Sequence, residues 1–585
     1  MSPQARRNLF GSSASGASVK FDEGRREFIA GTGLVLTGLP GMALAAGTPH
    51  PDLIVYNAKV YTVDDSQPTA QAFAVKNGRF IAVGSNQEIL GYAGPSTRRL
   101  DAQSSTIVPG FNEAHIHADG QTLLYEVLVG NPFEVEFVTI DSIIEKLRKR
   151  AAETPPGHWV AGRFYDDTKV KDGRLITRQD LDKVSTVHPV SVRHRGGHTT
   201  FYNSKAFEMA GVTASTPNPP GGEFFHDASG LSGRVAEKAN RVMQEAGKRV
   251  QYTPAQLVER ARAGNAHFSK TLVRYGITSA QSSTGDPEDL QSLQKLRQDG
   301  ELLHRVSFEV SGRLLESMIT NRIRTGLGDD WVRLGATAEH VVDGSFSERT
   351  ARLSNGYPGI SPPYYGIMTE TQDDLNAWAE RVHRAGIQMN CHANGDMGIA
   401  TTLTAYERAL RLFPTPNARP KITHCSVMND DLIRRIKAID AVPATFTTYL
   451  YYNADKFHYY GKEIMDRTFA FREFVDAGIT AAAGSDYGPG PFSPLMGIQG
   501  IVTRKGWDGS VWGARQKVTV AEAIKIHTAN GAYATHEEGK KGTITPGKLA
   551  DFVMLEKDPH TVDPESIIKI KILKTFTEGR AVYEA

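Results

Sequence analysis

The chain has 585 residues, with 67 basic and 65 acidic side chains, a formal net charge of +2, and 40% hydrophobic residues. That profile fits a soluble globular protein of more than one domain. Balanced charge without a basic block interleaved with aromatics excludes nucleic acid and acidic membranes as partners, and only two cysteines, Cys391 and Cys425, exclude a disulfide framework.

At the start, Gly24-Arg25-Arg26-Glu27-Phe28-Ile29-Ala30 precedes a Gly- and Leu-rich apolar stretch, with small residues at Ala43, Ala45 and Ala46. Residues 1–46 resemble a bacterial twin-arginine signal with an A-x-A-like end, which implies export of a folded chain to the periplasm. The stretch is too short and Gly-rich for a bilayer span, so no stable membrane span is expected after its removal. From Asp52 onward come short alternating strands, Leu53 to Tyr56, Lys59 to Val63, Ala72 to Val75 and Arg79 to Gly84, with Asn77-Gly78 as a hairpin turn. β-like runs return near the other end, in Gly547 to Leu555, Ile570 to Leu573 and Ala581 to Tyr583. Residues 47–106 and 542–585 are therefore expected to form one composite β-sandwich domain.

Between them lies an α/β pattern. Eight strands are expected: near Ile107 to His117, Ile277 to Gln281, Arg305 to Val310, Val332 to Val342, Ile387 to His392, Lys421 to Cys425, Ala441 to Phe446, and Ile479 to Asp486. Tyr275-Gly276, Ala385-Gly386 and Ala477-Gly478 each place Gly after a helical pattern, where the left-handed conformation ends a helix cheaply. Asp286-Pro287 and Thr371 with Asp374 supply helix starts. Alternation of strands and helices implies a parallel sheet, and eight strands suit a (β/α)₈ TIM-type barrel over 107–541. The stretch after His117 is too long for one βα unit and is expected to hold an insertion, 121–265, with a helix at Ile143 to Ala151.

Ligand-type side chains fall at the C-terminal ends of these strands, where barrel active sites lie. His115 and His117 are two apart, so a strand points both imidazoles one way. Glu339 follows the fourth strand, His392 ends the fifth, His424 the sixth and Asp486 the eighth. One such histidine is more often a hydrogen-bonded core residue; six at corresponding ends form a pattern. Cys391 and Cys425 adjoin two of these histidines, but would face the opposite side and are expected to be packing thiols. Tyr165-Asp166-Asp167 and Thr448-Tyr449-Leu450-Tyr451-Tyr452 either line the pocket or pack the insertion onto the barrel.

In that order, the set resembles the amidohydrolase superfamily, and more narrowly the N-substituted formamide deformylase-like amidohydrolases. The motifs are Val108-Pro109-Gly110-Phe111, Gly197-His198-Thr199, Asn203-Ser204-Lys205-Ala206, Asp343-Gly344-Ser345, Arg349-Thr350-Ala351, His392-Ala393-Asn394-Gly395-Asp396, Gly484-Ser485-Asp486, and Gly542 to Asp551. The resemblance implies His115, His117 and Asp486 on one divalent metal, of the zinc type, and His392 and His424 on a second. Glu339 stands where relatives carry a carboxylated lysine; it either bridges two ions or orients a neighbour beside a single one. Asp486 would be the general base, and His198 either polarises the scissile carbonyl or is structural. The implied reaction is hydrolysis of a non-peptide C–N bond in a small-molecule substrate, a linear amide, N-formyl or cyclic amide. A mononuclear deaminase and a catalytically silent periplasmic binding or regulatory protein are the rivals, and a homodimer stays open.

Overall fold

The computed structural model describes residues 50–285 and 287–585. The signal-like segment 1–46 and the capping residue Asp286 lie outside the described residues. No described helix is long and apolar enough to cross a membrane.

All eight expected strands are present: β1 (Phe111–Ile116), β2 (Ile277–Gly285), β3 (Arg305–Val310), β4 (Val332–Thr337), β5 (Asn390–Ala393), β6 (Lys421–His424), β7 (Val442–Phe446) and β8 (Ala482–Gly484). They form two parallel sheets, β4-β3-β2-β1 and β5-β6-β7-β8, the second extended beside β5 by His340–Val341. Every residue of β1, β3 and β5 to β8 is buried, as expected of parallel strands covered on both faces.

The ladder is interrupted at two seams rather than continuous. At one, the Asp486 N–H donates to the His115 carbonyl at 3.0 Å; at the other, the Thr337 N–H donates to Gln388 at 2.9 Å. At the second seam the Ala338 N–H still donates to the Val310 carbonyl of β3 at 2.8 Å, and pairing passes to β5 at His340.

The helices between strands end as their glycines indicate. Gly276, Gly386 and Gly478 have φ of +77°, +76° and +65°, a region where a Cβ would be strained. The helix Gln372–Arg384 starts at Thr371, whose hydroxyl accepts the Asp374 N–H. Cys391 and Cys425 are buried free thiols, and burial pushes Cys391 up to about 12.

One expectation needs correcting. The run from Ile107 to His117 is two strands, not one: Thr106–Pro109 and β1, separated at Gly110. The first joins a six-stranded sheet with Lys59–Tyr61 and Thr69–Ala70 from one end of the described chain and Phe552–Leu555, Ile572–Thr577 and Arg580–Glu584 from the other. The second pairs with β2. The break falls at Gly110 because a Cβ there would lie 2.0 Å from the Thr278 Oγ1, closer than any side chain tolerates. A second terminal sheet, Leu53–Tyr56, Ala72–Lys76, Arg79–Gly84 and Arg98–Asp101, packs with the first around Phe73, Phe80, Phe552 and Phe576.

Within the expected insertion, Val127–Leu128, Val160–Tyr165, Val190–His194, Thr199–Tyr202, Gly222–Asp227 and Gly230–Glu237 form their own six-stranded sheet, covered by the helix Ile140–Glu153. The helix Pro254–Arg274 runs across the boundary expected at residue 265 and leads into β2.

The close approach at Gly110 yields a stability prediction. Gly110→Ala should destabilise the fold by about 1–3 kcal/mol through overpacking. Gly539→Ala, an exposed position with nothing within 4 Å of the added Cβ, should change stability by less than about 0.5 kcal/mol. Paired thermal and urea unfolding curves measure both; equal effects would contradict the packing assigned to Gly110.

Candidate active site

The structure brings His115, His117, Glu339, His392, His424 and Asp486 together at the C-terminal ends of their strands. Ligand atoms of His115, His117, Glu339 and Asp486 lie within 4.8 Å of one another, and so do those of Glu339, His392 and His424. Glu339 belongs to both groups. Its Oε1 is 3.2 Å from His117 Nε2, while its Oε2 is 3.6 Å from His115 Nε2, 3.3 Å from His392 Nδ1 and 3.5 Å from His424 Nε2. Asp486 Oδ1 is 3.1 Å from His117 Nε2 and 3.5 Å from His115 Nε2.

Local backbone geometry aims these groups. His424 and Asp486 adopt φ of +73° and +51°, which costs a non-glycine residue about 1–2 kcal/mol and is characteristic of functional sites. Both stand where a strand stops, so the left-handed turn swings the side chain over the strand end.

Charge is the difficulty in such a cluster. Burial disfavours the charged forms, yet the carboxylates of Glu339 and Asp486 hold His115 well above its ordinary value and His117 at about 9. Glu339 and Asp486 are in turn held below the carboxylate range, against burial, chiefly by His115 and His117. His424 goes the other way, down to about 3, through burial and the neighbouring His392.

The donor set fits a divalent cation. Both ring nitrogens of His115 are buried without a hydrogen-bond partner, a costly state for imidazole. His424 Nε2 and His392 Nδ1 point at each other across 2.6 Å, and His392 Nε2 faces the Gly344 carbonyl at 3.3 Å, which leaves Nδ1 directed inward. Four imidazoles with two carboxylates are a set suited to zinc-type ions.

His198 also reaches the site. Its ring centre is 4.7 Å from that of His392, and its Nδ1 is 2.9 Å from Glu237 Oε2. Burial lowers its basicity, but Glu237 outweighs that and lifts the imidazole to about 10. His117, His198 and Glu339 line a cavity of about 670 Å³ together with residues of the insertion's sheet, of the helix Pro254–Arg274 and of the loop after Asp486.

Residues 98–583 match the amidohydrolase family. The chain belongs to that family and is a hydrolase acting on carbon–nitrogen bonds. YtcJ of Bacillus subtilis is 26% identical to this amidohydrolase over 542 residues, covering 90% of this chain and 98% of its own. The N-substituted formamide deformylase of Arthrobacter pascens is 26% identical over 551 residues, 91% of this chain and 98% of its own. A solved structure described as an uncharacterized metal-dependent hydrolase from Pyrococcus horikoshii has a TM-score of 0.66 at 20% identity, over 88% of this chain and 99% of its own, a likeness of fold.

Several groups that build the amidohydrolase site escaped the sequence reading. Glu113 Oε1 accepts the Ser485 N–H at 2.7 Å and the His115 N–H at 3.2 Å, tying β1 to the loop that carries Asp486. Its place two residues before His115, on the same face of the strand, was the available signal. Glu309 on β3 lies 3.6 Å from His115 Nδ1 and pairs with the buried Lys421 of β6. A carboxylate inside the apolar run Arg305 to Val310 marked it, but its cationic partner is 112 residues away. Asp343, which the sequence does mark in the Asp343-Gly344-Ser345 motif, accepts the N–H groups of Asn394, Gly395 and Arg352, each at 2.8 Å, and so shapes the loop after His392.

Of the aromatic runs, Tyr165 and Tyr452 pack the insertion, while Tyr449 reaches Asp486. Tyr165 is fully buried with its hydroxyl accepting the Ile176 N–H, and Tyr452 is held by Arg195 and covered by Lys169. Asp166, Asp167 and His194 lie close enough for a metal, but Lys169, Lys456 and Arg349 already pair with the two carboxylates.

Because His117 is protonated up to about pH 9 when no cation is present, cation binding must displace protons. Affinity for Zn²⁺ should therefore rise from about pH 6 to about pH 9, with proton release at neutral pH. Calorimetric titration in buffers of different ionisation enthalpy reads that release; a binding enthalpy independent of buffer would contradict it.

Proposed function

We propose that this chain is a metal-dependent hydrolase of a non-peptide C–N bond in a small molecule: a linear amide, an N-formyl group or a cyclic amide. The observation that carries the reading is Glu339, whose two oxygens lie between the His115–His117 pair and the His392–His424 pair. On this reading His115, His117 and Asp486 would hold one ion and His392 and His424 another, with Glu339 belonging to both groups. Zinc suits the donor set. The two parallel sheets then act as one (β/α)₈-type barrel with its reactive rim at the strand ends. The composite β domain and twin-arginine export to the periplasm belong to the same reading, supported by the paired termini and by the signal-like segment.

Divalent ions in this site supply Lewis acidity, which activates water and polarises an acyl carbonyl. The remaining chemistry falls to side chains. Asp486, kept ionised beside His115 and His117, accepts the proton of the attacking water at its carboxylate and passes it to the departing nitrogen. Its Oδ2 lies 3.5 Å from the Tyr449 hydroxyl, which steadies the carboxylate's orientation. His198 carries a proton at neutral pH because Glu237 holds Nδ1, so Nε2 is left to donate to the oxygen that becomes negative as the carbonyl is attacked.

Asp486→Asn should lower kcat/KM by at least about 10³-fold, and His198→Asn by about 10²-fold, with the circular dichroism spectrum retained. Product analysis on a panel of N-formyl, N-acyl and cyclic amides distinguishes the rivals. An acid plus an amine supports this reading, ammonia from amidine-type substrates supports a deaminase, and the absence of both turnover and bound metal supports a silent binding protein.

A further inference from the structure

The cavity lined by His117, Glu339 and His198 has a second polar feature in its lining. Arg163 and Arg193 project from adjacent strands of the insertion's sheet. The strands Val160–Tyr165 and Val190–His194 run parallel with Gly162 opposite Val192, and each arginine is the next residue along. The register shifts just beyond, before Tyr165 pairs with His194, but both arginines line the same cavity, close enough for the Arg163 charge to act on Arg193.

Neither has a close counter-charge, and each keeps part of its surface open. No carboxylate among the described residues pairs with Arg193, whose guanidinium donates only to the Gly197 carbonyl, from Nε at 3.1 Å and Nη2 at 2.6 Å. Arg193 is exposed and lines the cavity. Burial first, and then the Arg163 charge, pull its pKa below the ordinary value. Arg163 comes no nearer to a carboxylate than 4.0 Å, at Glu126, and its buried Nε has no hydrogen-bond partner. The acids and bases around them are already engaged. Asp119 caps the helix Gly120–Tyr125, Glu237 holds His198, and Lys238 pairs with Glu370.

Two adjacent cations, one with an unsatisfied buried donor, are stabilised by a planar anion that accepts from both forks, and a carboxylate has that geometry. The Gly197 carbonyl that orients Arg193 also precedes His198, so an anion on the arginines would sit within one small molecule's reach of the reacting carbonyl. We propose that Arg163 and Arg193 form a carboxylate-binding subsite, and that the substrate of this enzyme is an amide bearing a carboxylate, as in an N-acyl or N-formyl amino acid. The proposal rests on the hydrolytic reading above for the reaction, but not for the binding.

The test uses matched pairs of N-formyl and N-acetyl amino acids, in both enantiomers, and the corresponding amides of the decarboxylated amines, with the metal-loaded full chain. Calorimetry gives Kd and steady-state kinetics give kcat/KM. The acid of at least one pair should bind about tenfold or more tightly than its neutral partner, and Arg163→Gln and Arg193→Gln should each cut that preference about tenfold, with Arg193→Lys retaining part of it. Should Arg193→Gln fail to fold through loss of its bond to Gly197, Arg163→Gln carries the test, since the Arg163 side chain makes no hydrogen bond among the described residues. Equal binding of acid and neutral partner, binding of neither, or a preference untouched by the variants overturns the subsite. A carboxylate preference in binding without turnover upholds the subsite and counts against hydrolysis; equal turnover of both partners upholds hydrolysis and removes the subsite.

Discussion

Two carboxylates and four imidazoles buried within a few ångströms of one another would be an expensive arrangement unless positive charge were shared among them. Protons can supply part of that charge, and the elevated basicity of His115 and His117 is the mark of it. They serve poorly at His424, which burial and His392 keep neutral. Divalent cations beside Glu339 would be met by His115 Nε2 and by the inward nitrogens of the other three histidines, while His115 Nδ1 faces Glu309. The rest of the architecture serves to hold the six side chains in place for them.

That support is layered beneath the strand ends. Glu113 fixes the backbone of His115 and of Ser485 together, so the strand carrying the histidine pair and the loop carrying Asp486 cannot move apart independently. Glu309 and Lys421 form a buried pair inside the sheets, with Lys421 also donating to the Ala114 carbonyl and to Gln281. Breaking such a pair by removing one partner leaves an uncompensated charge, which costs about 3–5 kcal/mol. The left-handed turns at His424 and Asp486 store strain that this packing holds in place.

The parts of this fold legible from the chain are those with local causes. Alternating β-branched runs mark the strands, and Gly276, Gly386 and Gly478 mark where helices must stop. Asn77-Gly78, with φ of +49° and +72°, turns the hairpin it was expected to turn. The six ligand-type residues were visible because each stands at the end of an apolar run. What escaped depends on contacts made across long separations. Gly110 divides one apolar run because Thr278, far along the chain, crowds it. Lys421 resembles an ordinary strand-edge lysine until the fold brings Glu309 against it. Arg163 and Arg193 each sit in a polar-alternating strand, where a solvated arginine is ordinary, and only their pairing over a cavity distinguishes them.

The central claim is that Glu339 joins two cation sites. Elemental analysis by mass spectrometry of the protein loaded with Zn²⁺ and freed of excess metal tests it most directly, in the wild type and in Glu339→Ala. The account predicts about two ions per chain in the wild type, one for each group that shares Glu339, and a loss of at least one in the variant. A wild-type chain that retains no metal, or a variant that keeps the full complement, would contradict it.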